Sequence, residues 1–207
     1  MNPMTSPQTD SPLAPEERAR GDVYALLSRL FAAPADAGLL RSIAATGGSG
    51  VAQETGEASE FALVWSELSA SAGCAQAQAV DDEYHDLFIG TGRPAIPLYI
   101  GAYIARSSVD RSLVALRGFL ASHGLQRQRG VHEPEDHFAM LLEIMRYLIL
   151  EAGSTIEEQK QFFEQFIWPG GVALCDAISS HSVAQFYRST ANFAKAFLFI
   201  EQDAFCM

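Results

Sequence analysis

Apolar residues recur three and four positions apart along most of the chain, which is the spacing of helices buried on one face. After a helix start at Pro15-Glu16-Glu17, Val23, Leu26, Leu27, Leu30 and Phe31 keep this period until Pro34 ends it. Asp36 is placed to cap a short second helix through Ile43, and Gly47-Gly48-Ser49-Gly50 breaks the chain. Phe61, Val64, Trp65 and Leu68 mark a third helix beginning near Glu54. Ala75 to Ile89 predicts a fourth, ending in Tyr84, Leu87, Phe88 and Ile89 before Gly90, Gly92 and Pro94. An aromatic segment follows, with Leu98, Tyr99, Ile100 and Tyr103. Val109 to Ser122 is amphipathic and stops at Gly124, and Leu125 to His132, poor in apolar residues, reads as a connector.

The most apolar run is Phe138 to Leu150, entered through Glu133-Pro134-Glu135-Asp136-His137. Pro134 suits a first helical position, and Glu135 and Asp136 then fall in the first turn, where the helix dipole favours acids. His137 fits there as a neutral ring or paired with a carboxylate. Beyond Gly153, Ser154 or Thr155 with Glu157 or Glu158 forms a capping box for a helix carrying Phe162, Phe163, Phe166 and Ile167. Trp168-Pro169-Gly170-Gly171 predicts a sharp bend, Val172 to Ile178 a short apolar helix, and Val183 to Phe205 a final helix. No segment alternates with a period of two between hairpin turns. The expected fold is all-α, with about nine or ten helices.

Composition narrows the function classes. The chain has 207 residues, 48% of them hydrophobic, and a formal charge of −11. An acidic surface repels phosphate backbones and anionic lipid, so nucleic-acid binding and stable membrane insertion are not expected. The first residues lack the basic and apolar pattern of a leader, and no apolar run reaches a membrane span. Cys74, Cys175 and Cys206 are odd in number and far apart, which fits a reduced, cytoplasmic protein. The signs are also segregated. Eight acids and no Lys or Arg lie between Arg41 and Arg93, whereas six arginines and only Asp110 lie from Arg93 to Arg129. Two elements neutralising each other across a contact would explain this, and so would an acidic surface that faces a cationic partner.

Catalytic and cofactor signatures fail on spacing. There is no phosphate loop, and Gly90-Thr91-Gly92 is a helix connector. His132 and His137 are five apart across a proline, so they cannot share one helix face as metal ligands do. Asp136 and His137 are adjacent, which on a helix sets them about 100° apart, unlike a hydrolytic triad pair.

Glu83-Tyr84-x-x-Leu87-Phe88, the Pro94/Pro97-x-Tyr99 loop and the Glu133-Pro134-Glu135-Asp136-His137 pentad resemble the TorD/DmsD family of chaperones. Phe162-x-x-x-Phe166-Ile167-Trp168-Pro169 and Phe186-Tyr187 resemble the last third of the same family, so the resemblance covers residues 16–205. It implies a non-enzymatic maturation chaperone for a molybdenum-cofactor oxidoreductase. Such a chaperone binds the apoprotein or its twin-arginine signal peptide and delays export until the cofactor is inserted. It also implies no required cofactor, with weak guanine-nucleotide binding in some members, and a monomer or a domain-swapped dimer. With it the chain divides into a tail (1–14), an N-terminal helical part (15–124), a hinge (125–133) and a C-terminal helical part (134–207). The family loop carries a serine before its tyrosine. Here both Tyr99 and Tyr103 are candidates for that tyrosine.

A receptor for a cationic, apolar peptide needs an acidic rim beside a hydrophobic groove. On this reading Glu135 and Asp136 pair with client arginines, His137 orients Asp136 or donates to a peptide carbonyl, and Leu87, Phe88, Tyr84, Tyr99, Tyr103 and Trp168 supply the apolar lining. The competing structural reading has Asp136 satisfying the helix start or an arginine of residues 106–129, His137 as a bonded hinge residue, and Leu87 and Phe88 in the core. Two other functions remain open at this level: a helical scaffold or regulator using the same face, and a hydrolase or nucleotide-dependent enzyme using the pentad.

Overall fold

The computed structural model describes residues 13–46, 57–125 and 135–207. The Gly47–Gly50 break, most of the 1–14 tail and 125–133 hinge, and Pro134 therefore lie outside the described residues. The described elements are helical: α1 (Pro15–Ala32), α2 (Ala37–Thr46), α3 (Glu57–Cys74), α4 (Ala77–Tyr84), α5 (Arg106–Ser122), α6 (Phe138–Leu150), α7 (Ile156–Phe162), α8 (Trp168–Ser180) and α9 (Phe186–Cys206). A π turn, His85–Ile89, extends α4; another, Phe163–Ile167, joins α7 to α8; and Ile100–Ala102 is a single 3-10 turn. With α7 and α8 continuous, these segments make eight rods among the described residues rather than nine or ten.

That difference has a local cause. The expected bend at Trp168-Pro169-Gly170-Gly171 does not occur. Trp168 N–H reaches back five residues to Phe163 O, and the widened turn accommodates Pro169, which has no N–H to contribute. The two glycines serve packing. A Cβ on Gly170 would lie 2.8 Å from Ile100 Cγ2, and one on Gly171 would lie 3.0 Å from Leu198.

Local capping follows the sequence elsewhere. Ala14 N–H donates to Glu17, Leu39 N–H to Asp36 at 2.8 Å, and Thr155 with Glu158 forms the expected capping box. Gly124 closes α5 at a φ of +68°.

The core is organised by α6 and α9. Phe138, Ala139, Leu141, Leu142, Ile144, Met145, Leu148 and Ile149 of α6 are buried, which is more than one stripe, so neighbours cover this helix on several sides. Helix α1 lies along it. Gly21 permits this approach, since a Cβ there would come within 2.6 Å of Leu150, and Ser28 Oγ donates to Ala139 O. Helix α9 packs on α3 through Phe193, whose ring centroid lies 5.0 Å from Phe61 and 5.1 Å from Trp65. One buried cluster thus unites helices from both sides of residues 125–133.

Two buried carboxylates, neither visible in the hydrophobic period, join distant segments. Glu201 is only 1% exposed and accepts both Nε and Nη2 of Arg20 at 2.8 Å, together with Tyr24 Oη at 2.8 Å. Arg20 also donates to the buried Gln159. Burial depresses the Arg20 pKa, but the hydrogen bond and charge of Glu201 outweigh it and leave the guanidinium more basic than usual. Burial, then the Glu201 charge, holds the Tyr24 phenol well above its ordinary value. Glu83 of α4 accepts the N–H groups of Gln185, Phe186 and Tyr187 at 2.8, 3.1 and 2.8 Å. It caps α9 from about a hundred residues away and satisfies donors that the helix cannot.

Arg20→Ala strands the Glu201 charge in the core and should cost about 3–5 kcal/mol, read from the urea unfolding midpoint. Glu83→Ala should cost about 2 kcal/mol or more and release amide-exchange protection at residues 185–187, because three N–H groups lose their acceptor.

Candidate functional site

Gly90 at a φ of +61° ends the π turn after α4, in a place where a Cβ would meet Arg93 O at 2.7 Å. The chain then folds back, with Ile96 N–H bonded to Leu87 O at 2.8 Å, and runs past the start of α6. There the two segments clamp. Phe138 N–H donates to Leu98 O at 2.8 Å, Ile100 N–H donates to Asp136 O at 3.0 Å, and Tyr99 and His137 form an isolated antiparallel bridge.

This clamp revises the expected helix start. Helix α6 begins at Phe138, with His137 as its extended N-cap residue. Glu135 and Asp136 therefore lie in the turn before the helix, not in its first turn. Asp136 Oδ2 accepts Gly101 N–H at 2.8 Å, so one residue holds the 3-10 turn through both its backbone and its side chain. Gly101 is required by this approach: a Cβ would lie 2.8 Å from the same oxygen and 3.2 Å from Val109. Glu135 takes the arginine pairing that the structural reading of the sequence gave to Asp136. Its two carboxylate oxygens accept Nε and Nη2 of Arg117 on α5, both at 3.1 Å. Glu135 is 12% exposed and Arg117 57%.

The aromatic residues divide into two groups. The Tyr99 ring meets the His137 ring edge-on at 5.3 Å. Tyr103 Oη donates to Pro97 O at 3.0 Å, and burial with the nearby Cys175 pushes its phenol up to about 12, so it remains a donor at neutral pH. Gly170 brings α8 against Ile100 and Tyr103. Two residues earlier, Trp168 is half-buried and packs on Phe163 and on Phe199, which is 44% exposed. Tyr84, Leu87 and Phe88, expected to line a groove, are buried instead. Tyr84 donates to Phe31 O, and its ring packs on those of Phe88 and Tyr187.

The structure thus brings Tyr99, Tyr103, Glu135, Asp136 and His137 together and sets Trp168 on the adjoining helix. Tyr84, Leu87 and Phe88 support that assembly from the core. Sequence reasoning missed Arg117, Gly101 and Gly170. Only the surplus of arginines after residue 93 hinted at the first. Gly101→Ala should displace Asp136 and cost about 1–3 kcal/mol in unfolding free energy, whereas Asp136→Asn, which keeps an acceptor, should cost less.

A family model described as the nitrate reductase delta subunit matches residues 54–176. Over 135 residues the chain is 25% identical to a protein from Vibrio cholerae named "Chaperone protein TorD", with 60% of each chain covered. It is 28% identical over 120 residues to the "Tat proofreading chaperone DmsD" of Salmonella paratyphi A, covering 57% of this chain and 58% of that one. A 73-residue stretch is 36% identical to the "Probable Tat proofreading chaperone DmsD" of Haemophilus influenzae, covering 34% of this chain and 36% of that one. The alignments therefore span at most about 60% of the length of these relatives. With the model covering more than half of the sequence, the chain belongs to the nitrate reductase delta-subunit family, the family of the TorD and DmsD chaperones.

Proposed function

We propose that this protein is a cytoplasmic maturation chaperone for a molybdenum-cofactor oxidoreductase. It binds the client apoprotein and its twin-arginine signal peptide and holds back export until the cofactor is in place, acting by binding and not by catalysis. The observation that carries this reading is the clamp at Tyr99 and His137, where the segments of the family resemblance meet beside a carboxylate paired with an exposed arginine.

On this reading the residues have distinct tasks. Glu135 is the residue for a client arginine, because Arg117 reaches it from a largely exposed position and an incoming guanidinium can take its place. Asp136 is a positioning residue, since its Oδ2 holds Gly101. His137 and Tyr99 fix each other, and Tyr99, Tyr103 and Trp168 offer half-buried aromatic surface to the apolar part of the peptide. No described helix is long and apolar enough to cross a membrane.

Titration of the full chain with a panel of twin-arginine signal peptides tests this. Binding should weaken roughly tenfold when both peptide arginines become glutamine, and by a similar factor for Glu135→Gln with the unfolding midpoint unchanged. Absence of binding across the panel, or indifference to the peptide arginines, would reject signal-peptide recognition.

A further inference from the structure

Helix α5 is thinly secured. Of its 17 residues only Leu116 is buried, whereas α6 buries most of its length. Its ends are poorly satisfied as well. Ala105 offers no side-chain cap, no acid lies in the first turn and no base in the last, and Arg106 sets a positive charge at the end that the dipole already makes positive. Gly118 lies in the helix interior, and among the described residues nothing comes within 4 Å of the place of a Cβ. No close approach among them requires this glycine, so its effect is to lower the stability of the helix itself.

Helices in proteins owe most of their stability to a packed face, and α5 has little of one. Besides Leu116, it is fastened by Phe119, whose ring lies 5.0 Å from that of Phe162 and 6.0 Å from that of Phe166. Its polar tie is Arg117, which gives two hydrogen bonds to Glu135 from the residue next to Gly118. Arg117 thus holds against Glu135 the same chemical group that a client arginine would bring.

We infer that α5 is a displaceable strap. Arg117 acts as an internal competitor for Glu135, and a guanidinium arriving from outside releases α5, which then unwinds. This rests on the reading of Glu135 as the residue for a client arginine and adds to it a closed state. The Arg117 pair is a surface pair and therefore weak, so a client guanidinium sheltered by its own peptide replaces it. Binding must then carry the cost of opening α5. By linkage, a change that steadies α5 weakens binding and a change that loosens it strengthens binding, even at residues that never touch the client.

The probe is a labelled peptide with two adjacent arginines followed by a leucine-rich segment, read by anisotropy on the full chain, with a matched glutamine peptide as control. Gly118→Ala, which steadies α5 without a clash, should weaken the arginine peptide about threefold to fivefold. Arg117→Gln should tighten it about twofold to fivefold. Arg111→Gln removes the same charge from the same helix, where its bond is to Ser107 O, and should change affinity by less than about twofold. Amide exchange over residues 106–122 should speed up several-fold when the wild-type chain is saturated with peptide, the reverse of what a ligand that merely covers a helix does. Undiminished affinity in Gly118→Ala overturns the strap, as does unchanged or greater protection of residues 106–122 at saturation. No gain from Arg117→Gln, or an equal gain from Arg111→Gln, overturns the competitor. In each of these cases a wild-type chain that still prefers the arginine peptide leaves the signal-peptide reading standing. A wild-type chain that binds neither peptide, or both alike, overturns that reading and the strap with it.

Discussion

The candidate site depends on one backbone clamp between residues 98–101 and 136–138. Three hydrogen bonds, from Phe138, Ile100 and Gly101 N–H, fix where α6 begins and where the 3-10 turn lies. Each donor would otherwise be an orphan at a helix end or in a loop, where an unpaired buried N–H is costly. Because Asp136 supplies two of the three acceptors, the position of Glu135 one residue earlier follows from it. Gly101 and Gly170 are the steric conditions of the clamp. The first lets Asp136 approach, and the second lets α8 press on Ile100 and Tyr103. A polar cluster that looks at first like helix capping is thus a long-range joint.

The same logic recurs at Glu83 and Glu201. Each carboxylate lies in the core and is satisfied by donors from distant segments: Glu83 by three N–H groups of α9, Glu201 by Arg20 and Tyr24. Buried charges of this kind add little net stability when intact but are severe when broken. They therefore select one arrangement of helices more than they strengthen it. In a core rich in interchangeable Leu and Phe contacts, such polar fixtures define which helix ends meet.

What the sequence disclosed follows the range of the interaction involved. The helical class, the capping by Asp36, the Thr155–Glu158 box and the Gly124 stop are all decided within four residues, and local spacing reveals them. The Phe138 boundary, the Glu83 cap and the Arg20–Glu201 pair depend on partners 35 to 181 residues away, and no local pattern encodes them. The continuity across Trp168 and Pro169 escaped for a different reason. A π turn shifts the hydrogen-bond register by one residue and removes the conflict that makes proline look like a break. Tyr84, Leu87 and Phe88 are recognisable as a motif, but their burial is not, since an apolar residue near a functional loop has the same signature in the core or at a surface.

Charge segregation shows how a compositional anomaly gains meaning from structure. In sequence, the cation-free stretch before Arg93 is compatible with internal neutralisation or with an external partner. The ion pairs decide against the first among the described residues, because the arginine of α5 that pairs there is bonded to Glu135 and not to that stretch. Among the described residues Asp82 and Asp86 are exposed and have no ion-pair partner, so their charge persists in the folded protein as a field. A field of one sign raises the local concentration of molecules with the opposite sign, whatever their sequence.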